Sequence, residues 1–161
     1  METIIALGVL AIVMLTIASL SMFTARSFEA LGNYSAMDQQ SSFAMDTLGK
    51  DIRRAHGVAS FDTNLLVLTN LDGTGVTNVW DPGTGLVTRN FQGVTRDLLV
   101  GCDSFAFQMF QRNPSNDMLF YPTADPAQVK FISVTWQCSR PVYGQHTNTE
   151  SIQTAKFAIR N

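Results

Sequence analysis

Thr3-Ile4-Ile5-Ala6-Leu7-Gly8-Val9-Leu10-Ala11-Ile12-Val13-Met14-Leu15-Thr16-Ile17-Ala18-Ser19-Leu20-Ser21-Met22-Phe23-Thr24 contains no charged residue, and Glu2 and Arg26 bracket it. As an α-helix rising about 1.5 Å per residue, this run covers roughly 33 Å, enough for a bilayer hydrocarbon core of about 30 Å. Such a helix needs lipid or other apolar helices around it. A secretory signal peptide is the competing reading. It has a basic n-region, a shorter apolar centre and a small-residue cleavage site. Here Met1-Glu2 puts an acid where a base is expected, the run is longer, and helical character continues beyond it.

From Ser27 to His56 there is no proline, and apolar residues recur at helical spacing. Phe28, Leu31, Met37, Ala44, Leu48, Ile52 and Ala55 fall approximately along one stripe, while Asp38, Gln39, Asp46, Lys50, Asp51 and Arg53 mostly fall elsewhere. That pattern predicts an amphipathic helix with one face to bury. Gly57 and β-branched Val58, preceded by Lys50, Arg53, Arg54 and His56, read as a helix C-terminus whose basic residues complement its dipole. Together the two segments predict one helix of about 50 residues, about 75 Å long. Its first half is apolar all round and its second half is amphipathic, so the halves require different surroundings.

The period changes from Leu65 onward. Strands are predicted at Leu65 to Thr69, Val76 to Trp80 and Leu86 to Phe91, the last two flanking the hairpin turn Asp81-Pro82-Gly83-Thr84-Gly85. Leu98 to Val100 extends or begins another. Two further strands follow, Cys102 to Gln111 and Val129 to Cys138, the second presenting Ile132, Val134 and Trp136 on one face. Ser139 to Thr149 reads as a polar loop, and Ile152 to Ile159 as a last strand. The expected fold is α+β, one long helix across an antiparallel sheet. Its divisions are an apolar transmembrane or filament-core helix at 1–26, an amphipathic helix packed on the head at 27–57, and a β-rich head at 58–161.

A chain of 161 residues with 45% hydrophobic and 15% charged residues has room for one head and one appendage. Its formal net charge of −2 provides no broad field for nucleic acid or anionic lipid. Cys102 and Cys138 are too few for a zinc cluster and form no CxxC pair, so they are either a disulfide or two buried thiols. Outside the cytoplasm oxidation is permitted, and pairing would close a loop of roughly 36 residues, worth up to about 4 kcal/mol. Ends of successive antiparallel strands meet, which makes the pairing geometrically allowed.

No nucleophile elbow, phosphate loop, HExxH or paired catalytic carboxylates can be read, so no enzyme activity and no cofactor are expected. His56 and His146 have no ligand spacing around them and read as surface or capping residues. Asp72-Gly73-Thr74-Gly75 reads as a turn rather than a calcium loop. Lys50, Arg53 and Arg54 are open to a DNA contact, although a cluster at a helix end more often serves the dipole. The absence of CxxCH argues against electron transfer by this chain alone.

The opening Met1-Glu2-Thr3-Ile4-Ile5-Ala6-Leu7-Gly8-Val9-Leu10 closely resembles the start of the type IV pilin and type II secretion pseudopilin superfamily. In that superfamily a leader is removed, the new N-terminus is methylated, and a glutamate near the start of the apolar helix takes part in assembly. Glu2 matches that glutamate. Ser42 to Ala55 resembles the helix end of W-type minor pilins and J-type minor pseudopilins, and Val79 to Arg89 resembles their hairpin. Many members carry a proline in the apolar helix, where some filaments unwind, whereas the first proline here is Pro82 and Gly8 is the only glycine in the run.

The resemblance implies an assembly face of Met1, Glu2, Ile4, Ile5, Leu7, Val9, Leu10, Ile12 and Val13. It also implies a homo-oligomeric helical filament, partnership with other pilins and inner-membrane assembly machinery, residence in the inner membrane before assembly, and an extracellular location afterwards. The alternatives are a minor subunit that primes or caps a filament and a single-pass anchored binding module.

Overall fold

The computed structural model of the chain describes residues 1–144 and 150–159, backbone only at 116–118. A single helix, α1 (Glu2–Arg54), of 53 residues is followed by β1 (Ala55–Asp62), β2 (Leu65–Asn70), β3 (Gly75–Asp81), β4 (Leu86–Phe91) and β5 (Val94–Leu99). Then come β6 (Cys102–Asn113), β7 (Asn116–Pro122), a 3-10 turn at Pro126–Gln128, β8 (Val129–Ser139) and β9 (Glu150–Ala158). The α+β class is as expected. The strands, however, form two antiparallel sheets, a five-stranded meander β1-β2-β3-β4-β5 and a four-stranded sheet β7-β6-β8-β9.

The sheets divide at Gly101. Its φ of 73° lies in the left-handed region, and a Cβ there would come within 3.1 Å of the Ser139 carbonyl oxygen. Glycine allows the chain to leave β5 and enter β6 against that carbonyl. Two backbone bonds fix the corner, Cys102 N–H to Gly85 O at 2.9 Å and Ser139 N–H to Gly101 O at 3.0 Å.

The helix ends earlier than Gly57. Ala55 is already extended at φ −64° and ψ 135°, pairs with Asn70 of β2, and is buried. Pairing and burial outweigh the helix preference of alanine. The strand β1 that begins there is at a sheet edge and has two register shifts, so its burial does not follow the alternation that marks a half-buried strand. At the opposite edge the first four residues of β5 are exposed, and Gln92 and Gly93, at φ 51° and 79°, form the tight turn that joins it to β4.

The core forms where α1 meets both sheets. Met37, Ala44, Leu48 and Ile52 are buried on the helix, facing a cluster that includes Leu66, Leu68 and Val87 from one sheet and Phe107, Ile132, Val134 and Trp136 from the other. The helix touches β9 of the four-stranded sheet and β5 and β2 of the meander. The stripe expected from Phe28 therefore begins to be buried only at Met37: Phe28 is 70% and Leu31 64% exposed. Asp51, expected on the polar side, is buried. The apolar core of the head underlies α1 only from Met37 onward.

Candidate functional site

Residues 1–26 carry the functional expectation, and every one of them is exposed. The most apolar 18-residue stretch of α1 has a mean hydropathy of 2.6 and none of it is buried, so α1 is long and apolar enough to cross a membrane. Ile4, Ile5, Leu7, Val9, Leu10, Ile12 and Val13 project from this half without a partner surface, Ile4 at 72% exposure. Three hydroxyls in and just beyond the run bond back to the helix backbone: Thr16 to Val13 O at 2.7 Å, Thr24 to Leu20 O at 2.8 Å and Ser27 to Phe23 O at 3.0 Å. Each donor is satisfied without water, as an apolar environment requires.

Met1 is the N-cap without a side-chain bond, and the first turn closes with Ile5 N–H to Met1 O at 3.3 Å. Glu2 lies in that turn, where a carboxylate complements the positive end of the helix dipole. The helix is continuous through Gly8, and a Cβ at that position would meet nothing within 4 Å. Glu2 and the aliphatic residues therefore share one uninterrupted rod.

The other half of α1 is fixed to the head by polar contacts that link distant parts of the chain. Asp51 accepts two bonds from Arg89, Oδ2 from Nε at 2.5 Å and Oδ1 from Nη2 at 2.8 Å. Trp136 Nε1–H donates to Ser41 Oγ at 3.2 Å. Neither pair had a signal in the sequence, because 38 and 95 residues separate the partners. The basic cluster at the helix end is divided: Lys50 pairs with Asp46 four residues back at 2.5 Å, and Arg53 lies over the Phe157 ring at 5.9 Å.

Cys102 and Cys138 form a disulfide between register partners at the ends of β6 and β8. With a sequence separation of 36, replacing both with alanine is expected to lower the stability of the head by up to about 4 kcal/mol. Chemical denaturation of the oxidised parent against the double variant measures this, and equal midpoints would show that the crosslink does not stabilise the head.

Asp72 Oδ1 accepts from the Thr74 N–H at 2.9 Å and from Thr74 Oγ1 at 2.6 Å, which holds its carboxyl below the ordinary carboxylate range. Asp81 is lowered in the same way by Thr84 and the Gly83 N–H. Both carboxylates serve their own turns. His56 is an exposed residue of β1, and His146 lies outside the described residues. Among the described residues no group of three or more His, Cys, Asp or Glu is placed to hold a metal ion.

A long helix, apolar in its first half and laid on antiparallel sheets in its second, is a pilin-like architecture. No family model, curated protein or solved structure matches the chain.

Proposed function

We propose that this chain is a structural subunit of a type IV pilus or pilin-like extracellular filament. Residues 1–26 hold it in the inner membrane before assembly and pack into the filament core afterwards. The supporting observation is the bare apolar half of α1, rigidly continuous with a half that is locked to a folded head. Only lipid or neighbouring helices can cover those side chains. Lipid is as apolar as a helix bundle, so movement from one to the other is driven by packing and charge pairing rather than by hydrophobic transfer.

Glu2 supplies the charge. A carboxylate at the edge of an apolar segment is costly to bury alone, and in a staggered stack the amino terminus of a neighbouring helix neutralises it. No catalytic role is assigned. The resemblance of Ser42 to Ala55 and of the Val79 to Arg89 hairpin to minor subunits makes a priming or capping role the second reading.

Glu2→Ala is expected to reduce filament yield while leaving the melting temperature of the head unchanged. Loss of about 1.4 kcal/mol of pairing weakens each subunit addition about tenfold. Normal yield from this variant would eliminate the charge-pairing step. Gold labelling of the head separates the remaining readings: label along the whole filament marks a major subunit, label at one tip a priming or capping subunit, and label scattered over membranes an anchored module.

A further inference from the structure

At one place the head extends down α1 toward its apolar half. Beyond β8, Arg140 Nη2 donates to Gln40 Oε1 at 3.3 Å, Asn33 Nδ2 to the Pro141 carbonyl at 3.3 Å, and the Tyr143 N–H to Glu29 Oε1 at 3.5 Å. These contacts descend the helix from Gln40 to Glu29, about 16 Å. Val142 is buried between them, whereas Tyr143 is 62% exposed. Tyr143 and Gly144 are both left-handed, at φ 48° and 75°, so the chain reverses here.

Tyr143 lines, together with Ser21, Met22, Ala25 and Arg26, an open cleft of about 420 Å³. Those residues lie one to two turns nearer the apolar end than the Glu29 contact. Met22 and Ala25 supply an apolar wall. Arg26 supplies the first cation after the apolar run and has no ion pair among the described residues. Its nearest acidic neighbour along the helix, Glu29, already accepts the Tyr143 N–H.

We infer that Tyr143 and Arg26 form a phospholipid seat at the membrane surface, with the lipid's upper methylenes against Met22 and Ala25 and its phosphate at Arg26. This rests on the membrane-anchored state proposed above. When Thr3 to Thr24 span the hydrocarbon core, Arg26 falls at the headgroups, where guanidinium and phosphate pair through charge-assisted bonds. Tyrosine is favoured at that level because its ring is apolar and its hydroxyl is wet. An anion fits the cation that lines the cleft without an ion pair among the described residues, and acyl chain fits its apolar wall, which selects lipid over an apolar helix of a second copy. The seat holds the base of the head against the bilayer, and leaving it becomes part of extraction into a filament.

The test uses the full-length chain carrying Tyr143→Trp in phosphatidylglycerol-containing vesicles with lipids brominated near the headgroup or near the chain ends. The parent, with Trp80 and Trp136 in the head, gives the background. The indole introduced at position 143 is expected to lose at least half of its added emission to the shallow bromines and less to the deep ones. Adding Arg26→Gln is expected to weaken the shallow quenching. A chain that floats with the vesicles but is quenched no more than the parent overturns the lipid seat alone. An added indole shielded from both brominated lipid and aqueous acrylamide places a second copy in the cleft and also overturns it. A chain that does not float overturns membrane anchorage and the seat with it.

Discussion

Arg89→Ala is expected to destabilise the head by about 3–5 kcal/mol, because Asp51 then stays in the helix–sheet interface without its cation. The side chains of Arg89 and Asp51 are only 19% and 9% exposed, so solvent screens the pair little. The guanidinium makes two bonds to the carboxylate and also lies over the Phe91 ring at 5.1 Å, so no lysine reproduces its geometry. Replacing Asp51 and Arg89 together with leucine and methionine is expected to restore most of the loss, since a buried pair gains little over apolar residues of similar volume. Urea titration of Arg89→Ala checks the first expectation, and the cycle of Asp51→Leu, Arg89→Met and the double variant checks the second. If the singles add up to the double, the residues act independently and the pair does not hold the helix to the meander.

The same pair sets a pH expectation. Hydrogen bonding to Asp51, against a smaller opposing effect of burial, raises the Arg89 guanidinium above its ordinary value. A raised folded-state pKa gives stability that is complete below the unfolded value and is lost only as pH rises through the folded one. Arg89 therefore contributes no loss of stability until strongly alkaline pH.

Trp136→Ala is expected to cost a similar amount, about 3–5 kcal/mol, through the cavity left by a fully buried indole. Phe105 lies nearly parallel to that indole at a centroid distance of 6.3 Å and would lose one wall of its site. Ser41, itself buried, would lose its donor. Trp136→Phe keeps most of the volume and is expected to cost less. Hydrogen exchange between Met37 and Ile52 distinguishes anchoring of the helix from general loss of stability. Protection there should fall more than in β2 and β3, and a uniform fall would show that the indole is ordinary core rather than the tie between helix and sheet.

Much of this molecule was legible because its signals are local. The apolar run from Thr3 to Thr24 and the period of Ala44, Leu48 and Ile52 specify a long helix by composition and spacing. Asp81 to Gly85 specify a hairpin by turn chemistry, and Val129 to Cys138 read as a strand because Ile132, Val134 and Trp136 put an apolar face on alternate positions, one residue short of the observed end at Ser139. The edge strands β1 and β7 and the exposed first four residues of β5 gave no comparable pattern, since an edge strand need not present an alternating core face.

The sequence by itself determined a bare apolar rod opening with a carboxylate, joined to an amphipathic half and a strand-rich head, because charge, hydropathy and period act over a few residues. The tertiary structure alone decided that the strands divide into two sheets at Gly101, that Asp51 faces Arg89 rather than water, and that Trp136 reaches Ser41. It also decided that Phe28 and Leu31 stay exposed and that Tyr143 hangs beside Arg26. These outcomes depend on which surfaces meet when the chain closes, and residues far apart in sequence carry no local sign of that meeting.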